Sequence, residues 1–519
     1  METNRMGAPD HLKLFGRTVR GLFWQSSAVF LLGVFQLGVL AILARRLAPA
    51  DFGLVALINV LMTLTANAFQ MGLGPALIQR KDVTPDDSGF VFFLTVLSGA
   101  LAALLFLAVA PVLAESFGWP GLKPWLPVAG LAVLASNLGL VSAATLQKDM
   151  RFRIQSSIDV AAYLLGYAGP VLALALFGFG AGALVLGLLL QQVVRTALLL
   201  AVRPPGIRFR FAKAGARSIL GYGGAMTMAQ LMNQIGLQAD NYVVGRFLGS
   251  AALGFYERSF FLMNLASRYF GRVLDAVMFP AMAQIQDQHG HLQTGYLAAI
   301  GVLNTVLICV SVAGFLCADD IIRLVLGPQW SAAVLPFKIL MLALPFRTTI
   351  RVGDSLARAV GRVGRNAAIK TVYAAAVVGF SLAGIRLGMG GVAGAVALAV
   401  LLHYAMMLDL VGQAIRLSWR RQLAAHVPGL VLGALVWCTG KWVLGATVRL
   451  SLPVRLGSFG LLAPLGAGLV VLAFPGILGE PTLWLMAQFK SRLRSRGLWI
   501  GPRQAPAAAT SLKGRDGKC

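Results

Sequence analysis

Apolar residues fill this chain in stretches of about 20, separated by short polar segments, and a helix of that length crosses a hydrocarbon core about 30 Å thick. Each stretch therefore reads as a membrane span. Fourteen are predicted, at 21–43, 52–73, 89–113, 125–145, 157–177, 181–202, 217–239, 252–282, 295–317, 331–352, 366–386, 391–413, 426–446 and 456–478. The predicted fold class is an all-α integral membrane protein.

Polar residues inside those spans recur three or four apart, which places each set on one helical face. In the eighth span the set is Asn264, Arg268, Arg272 and Asp275. The seventh span carries Gln230, Asn233, Gln234 and Gln238, and the tenth carries Arg347 with Arg351. In the second span the set is Asn59, Thr63, Asn67 and Gln70, which coincides with the eighth-span set at an offset of 205 residues. Polar groups in hydrocarbon are costly, so such faces turn toward a cavity or a partner helix. For the amides the plain alternative is hydrogen bonding between helices; for the arginines it is snorkelling to the membrane surface. Arg268 and Arg272 can be partly neutralised by Asp275 or Glu257, whereas Arg258, Arg347 and Arg351 lack an equal supply of carboxylates. A guanidinium-rich cavity suits an anion, above all phosphate, which accepts its planar, two-pronged grip. Asp240, near the end of the seventh span, is expected to form a local ion pair with Arg246.

The face shared by spans two and eight belongs to a longer repeat. PALIQRKD at 75–82 returns as PAMAQIQD at 280–287. Arg45, Leu47 and Gly53 match Arg246, Leu248 and Gly254 at an offset of 201, and Gly118 and Pro127 match Gly327 and Pro336. Two six-span halves follow, both running the same way through the membrane, with a site expected between them as in alternating-access transporters. The expected divisions are an N-terminal segment 1–20, a first lobe 21–215, a second lobe 216–420, two extra helices within 421–480 and a basic tail 481–519.

Composition and charge sharpen this picture. Of 519 residues, 58% are hydrophobic and 12% charged, about half the charged fraction of a soluble domain. The net charge is +26, which in a membrane protein first reports topology, because Lys and Arg collect in cytoplasmic loops. With the N-terminus inside, Arg17, Arg20, Lys148, Arg151, Arg153, Arg203, Arg358, Arg362, Arg365 and the tail KSRLRSR all fall on the cytoplasmic side. Both termini are thus expected in the cytoplasm. Membrane lipid is an expected partner and nucleic acid is not, with the tail's basic groups resting on anionic lipid. The opening METNRMGAPDHLKLFGRTVR leads into a long apolar run without a small-residue cleavage site, so no removable signal peptide is expected. Four cysteines and five histidines show no disulfide framework and no metal-ligand spacing. No cofactor is expected. The chain carries no P-loop, dinucleotide fingerprint or nucleophile elbow, so neither direct use of ATP nor an enzyme activity is expected.

The segments LARRLAPADFGLVAL (43–57), GLGPALIQRKD (72–82), LQKDMRFR (146–153), QADNYVVGRFLGSAALGFYERSFFLMNL (238–265), FPAMAQIQD (279–287) and LGPQW (326–330) carry a resemblance. In them the chain resembles the Wzx-type polysaccharide and lipopolysaccharide flippases, within the multidrug, oligosaccharidyl-lipid and polysaccharide exporter superfamily. That resemblance implies a V-shaped transporter of two six-helix lobes in the bacterial inner membrane. It would move an undecaprenyl-diphosphate-linked oligosaccharide for capsule, exopolysaccharide or O-antigen, alongside polymerase and export machinery, with spans 13 and 14 offering a groove for the polyprenyl tail. Guanidinium groups would meet the diphosphate and amides the sugar hydroxyls. Two other readings stay open: a cation-coupled drug antiporter of the same superfamily, expected to rely on carboxylates and aromatics, and a membrane-embedded polysaccharide polymerase or ligase, expected to carry a large outer loop with candidate acids and bases.

Overall fold

The computed structural model describes residues 27–70, 72–79, 84–205, 213–286 and 288–473, with some side chains of the helices over 213–286 and 452–473 outside the description. The N-terminal segment, the basic tail, and Arg80, Lys81, Asp82 and Asp287 of the repeated motif lie outside the described residues. So do the side chains of Arg272 and Asp275.

The described residues are helical throughout. The order is α1 (Ser27–Ala44), α2 (Pro49–Phe69), α3 (Leu73–Gln79), α4 (Pro85–Phe117), α5 (Trp125–Leu138), α6 (Leu140–Lys148), α7 (Phe152–Ala161), a π-helical segment (Ala162–Ala168), α8 (Gly169–Leu176) and α9 (Ala181–Val202). The chain continues with α10 (Lys213–Leu248), α11 (Ser250–Gln284), α12 (His289–Leu316), α13 (Ala318–Val325), α14 (Val334–Ala359), α15 (Val363–Gly384), α16 (Gly388–Ile415), α17 (Trp419–Ala424), α18 (Val427–Ala446) and α19 (Leu452–Ala473). Ten helical stretches among the described residues are long and apolar enough to cross a membrane, against the fourteen spans expected. The stretch Val363–Ile415 is α15 and α16 together, and many side chains of α19 lie outside the description. α10 and α11 are 36 and 35 residues long, but they carry the polar faces and fall below the hydropathy of a lipid-facing span.

Local sequence starts and stops these helices legibly. At α4, the Thr84 hydroxyl accepts from the Asp87 amide at 3.1 Å, and the Asp87 carboxylate accepts from the Thr84 amide at 3.1 Å, a reciprocal cap that satisfies two otherwise orphaned donors. At its far end Gly118 takes φ 66°, and its repeat partner Gly327 takes φ 109°, backbone geometry that side chains with a Cβ resist.

The two halves of the chain meet where α2 crosses α11. A Cβ on Gly53 would overlap the Ser250 carbonyl, and a Cβ on its repeat partner Gly254 would overlap the Pro49 carbonyl. Two glycines, matched in sequence, thus permit one close backbone crossing. Next to it, the turn after α13 closes over the end of α1: Trp330 Nε1 donates to the Ala44 carbonyl at 2.9 Å, Gln329 donates to the same carbonyl, and Arg45 donates to the Leu324 carbonyl at 2.5 Å. In return, Phe117 and Trp119 at the end of α4 pack on Gly245 of α10, with Phe117 edge-on to Tyr242 at 5.3 Å. The fully buried Trp330 stands edge-on to Phe52 of α2 at 5.2 Å and Phe255 of α11 at 5.6 Å. α18 lies against α12, where Gly429 approaches the Asn304 backbone, and α19 packs on α18 through Phe459 against Gly440.

Candidate functional site

Two cavities flank α11. The first, about 560 Å³, is lined by Asn233 and Gln238 of α10, Phe260, Asn264 and Arg268 of α11, Arg347, Arg351, Asp354 and Arg358 of α14, Lys370 and Tyr373 of α15 and His403 of α16. The second, about 400 Å³, is lined by Gln36 of α1, Phe52 and Asn59 of α2, Tyr163 and Tyr167 of the π segment, Gln191 of α9, and Glu257, Arg258, Phe261 and Arg268 of α11. Arg268 belongs to both.

Among the described residues, the first cavity gathers five cationic side chains, Arg268, Arg347, Arg351, Arg358 and Lys370, and one carboxylate, Asp354. That carboxylate is already engaged: it accepts from Asn366 Nδ2 at 2.5 Å, pairs with Lys370 at 2.8 Å and with Arg358 at 3.6 Å. Aromatic faces hold part of the remaining charge. The Arg347 guanidinium lies 4.7 Å from the Phe260 ring centre, and Arg268 lies 5.1 Å from that of Phe261, contacts that stabilise a cation without cancelling it. These cationic side chains stand beside the amides of Asn233, Gln238 and Asn264.

The second cavity is electrically different. Arg258 pairs with Glu257, and its guanidinium lies 5.2 Å from the ring centres of both Phe52 and Phe261. The expectation of an uncompensated guanidinium thus fails at Arg258, because the neighbouring carboxylate turns into the same cavity.

Of the residues singled out from sequence, Arg268, Arg347, Arg351, Asn264, Asn233 and Gln238 converge on the first cavity, and Arg258, Asn59 and again Arg268 on the second. Asn67 and Gln70 line neither. Gln70 donates to Asn137 of α5 at 3.2 Å, which is the plain alternative of bonding between helices, whereas Asn67 donates to the Thr63 carbonyl of its own helix at 2.8 Å. Gln230 and Gln234 are half-buried on α10 and line neither cavity. Arg272 and Asp275 lie on α11 with side chains outside the described residues. The Asp240–Arg246 pair does not form. Asp240 is buried and accepts from the Tyr256 hydroxyl at 2.7 Å, while Arg246 lies over the Phe247 ring at 5.7 Å; α10 is continuous between them, and six residues bring a helix to a different face.

Lys370, Tyr373 and His403 escaped the sequence reading, as did Gln36, Gln191, Tyr163 and Tyr167. Asn366, Lys370 and Tyr373 follow a helical i, i+4, i+7 spacing, which marks one face. Gln36 and Gln191 are single amides in apolar helices and give no periodic signal.

Comparison with known proteins agrees with this architecture. Residues 42–335, more than half of the chain, match the family described as polysaccharide biosynthesis protein. Among curated relatives, the chain is 22% identical over 356 residues to the lipopolysaccharide biosynthesis protein WzxC of Escherichia coli (strain K12), covering 68% of this chain and 72% of that one. It is 24% identical over 345 residues to the teichuronic acid biosynthesis protein TuaB of Bacillus subtilis (strain 168), covering 66% and 71%. Among solved structures it is similar in fold to the lipid II flippase MurJ in an inward closed conformation, with a TM-score of 0.70, 12% identity, and 86% of this chain and 98% of that chain covered. An inward-facing multidrug resistance MATE transporter gives a TM-score of 0.64 at 15% identity, covering 76% and 98%. The cationic cavity beside a membrane-embedded helix crossing therefore sits in a multi-pass membrane chain that belongs to the polysaccharide biosynthesis protein family.

Proposed function

We propose that this chain flips polyprenyl-diphosphate-linked oligosaccharides across the bacterial inner membrane for polysaccharide export. The observation that carries the reading is the first cavity, where five cationic side chains surround one carboxylate that is itself held by three partners. A diphosphate is the anion that guanidinium groups grip best, because they offer it paired donors in fixed geometry. The relatives named for lipopolysaccharide and teichuronic acid biosynthesis support a glycan cargo.

In this reading the two halves of the chain are repeat-related six-helix lobes, with all fourteen apolar stretches crossing the membrane and both termini in the cytoplasm. The interlocked turn at Ala44 and Trp330 then closes the periplasmic side, and the headgroup enters the cationic cavity from the cytoplasm. Rocking of the lobes about the α2–α11 crossing exposes it outward. α18, packed on α12, and α19, packed on α18, offer a groove along which the polyprenyl tail can run. The fold is shared with a flippase and with a drug exporter, so it does not choose between them; the charge of the cavity does, because a cation substrate is repelled by it.

The test is headgroup translocation in proteoliposomes loaded with polyprenyl-diphosphate oligosaccharide, comparing the wild type with Arg268→Ala plus Arg347→Ala at equal amounts of folded protein. Transport in the double variant is expected to fall at least tenfold, the loss of charge-assisted hydrogen bonds worth roughly 1.5–3 kcal/mol each. Unchanged flipping in the variant would sink the assignment of the cavity.

A further inference from the structure

The second cavity is built for a ligand of another chemistry. Gln36, Asn59 and Gln191 line it from α1, α2 and α9, and Tyr163 and Tyr167 from the π segment. None of these five side chains has a hydrogen-bond partner among the described residues, whereas amides elsewhere in the same bundle are committed: Asn67 to Thr63, Gln70 to Asn137, Asn241 to Gln238. All but Tyr163 are half-buried, so their polar groups are open to whatever enters the cavity. Amides and phenols both donate and accept, so their complement is a ligand rich in groups that do the same, and sugar hydroxyls do.

Three further features fit. The Tyr163 and Tyr167 rings are stacked, with centroids 5.4 Å apart and planes 24° from parallel, giving an aromatic wall on which the C–H face of a pyranose can pack. The ion pair Glu257–Arg258 leaves the cavity close to neutral apart from Arg268, so an anion gains less here than next door. Its volume of about 400 Å³ lies within the usual range of small-molecule sites, about 300–1,000 Å³. The helix itself is irregular at this point: the π turn lets Gly166 press against the Gln191 backbone, where a Cβ would have no room, and single π turns inside α-helices are frequent at functional sites.

Resting on the flippase reading, the geometry points to a pyranose-binding subsite formed by Gln36, Asn59, Gln191, Tyr163 and Tyr167, which receives a sugar of the lipid-linked headgroup while the cationic cavity on the other side of Arg268 holds its diphosphate. Arg268 joins the two subsites. The first half of the chain then selects the glycan, and the second half holds the group common to all such lipids.

The experiment measures binding by the purified full-length chain in nanodiscs. The probes are undecaprenyl diphosphate and undecaprenyl diphosphate bearing glucose, galactose or N-acetylglucosamine. The wild type is expected to prefer at least one glycosylated lipid about tenfold, and Gln36→Leu plus Gln191→Leu to lose that preference while binding the bare lipid as before, since two hydrogen bonds account for a change of that size. Tyr167→Phe, which keeps the ring and removes the hydroxyl, is expected to cost about threefold on the glycosylated lipid alone. A variant that retains the preference, or that weakens both lipids alike, overturns the subsite. Wild-type binding of every probe without preference also overturns the subsite and leaves the flippase reading standing; wild-type binding of none overturns both.

Discussion

The two cavities share one wall residue, Arg268, and differ in the chemistry of their walls. Among the described residues, the cavity of the second half is lined by five cations and one carboxylate, and that of the first half by neutral amides and phenols for which no side-chain hydrogen bond forms. The contrast is written on one repeated helical face. Asn59 and Asn264 occupy matched positions and each lines a cavity, but the residue one turn on is Thr63 in α2 and Arg268 in α11. Thr63 turns its hydroxyl back to the Asn59 carbonyl at 2.7 Å, as a short side chain in a helix can, whereas the long Arg268 reaches both cavities. In the proposed reading, one change of side-chain length and charge at a matched position separates the roles of the two cavities.

The largest break in this comparison comes at the crossing that holds both cavities in place. Gly53→Leu or Gly254→Leu puts a side chain into the opposing backbone, beyond what the core relieves at the usual overpacking cost of about 1–3 kcal/mol. Both variants are expected to lose the folded state in detergent, measured as loss of monodisperse protein and of the thermal transition. Gly295→Ala, which meets nothing within 4 Å, is the matched control and is expected to behave as wild type. A folded, active Gly254→Leu protein would show that the halves do not depend on this contact.

A smaller effect separates the charge states of the two cavities. Glu257→Gln leaves the Arg258 guanidinium without its carboxylate in the near-neutral cavity, an unfavourable burial costing about 2 kcal/mol in stability. Adding Arg258→Met removes the stranded charge and is expected to restore most of the lost stability, read as the midpoint of thermal unfolding. If the double variant is no more stable than Glu257→Gln alone, the second cavity is not near-neutral, and its contrast with the first is lost.

How much of this was legible in the sequence follows from the same physics. Long apolar runs announce a membrane bundle, and polar residues at helical spacing announce its inner faces, so Arg268, Arg347, Arg351 and Asn264 stood out. The glycines of the repeat were visible as matches, but that Gly53 and Gly254 cross each other is a tertiary fact. The polar length of α10 and α11 blurs the span count, since a helix facing a cavity is under no demand to be apolar. Gln36 and Gln191 stayed hidden because one amide in an apolar helix makes no pattern; what marks them is the company of Tyr163 and Tyr167, distant in sequence. Arg258 was misjudged because an ion pair between neighbours in sequence depends on rotamers, and spacing along a helix does not report those.

The smallest expected effect tests whether commitment, and not mere presence in the membrane, sets an amide's role. Asn67 sits on the same polar face as Asn59, yet it donates to the Thr63 carbonyl of its own helix at 2.8 Å and lines neither cavity. That carbonyl already belongs to the helical ladder, so Asn67→Leu forfeits a secondary contact, and intramembrane side-chain hydrogen bonds average about 0.6 kcal/mol. Stability is expected to shift by no more than that, with flipping of polyprenyl-diphosphate oligosaccharide and preference among glycosylated lipids unchanged. Asn59→Leu, eight residues earlier on the same face, changes nothing that a neighbour depends on and opens no new cavity. It is expected to leave stability equally intact while lowering affinity for the glycosylated lipid severalfold. If the two leucine variants bind alike, the distinction between committed and uncommitted amides carries no functional meaning here, and the second cavity is only a gap between helices.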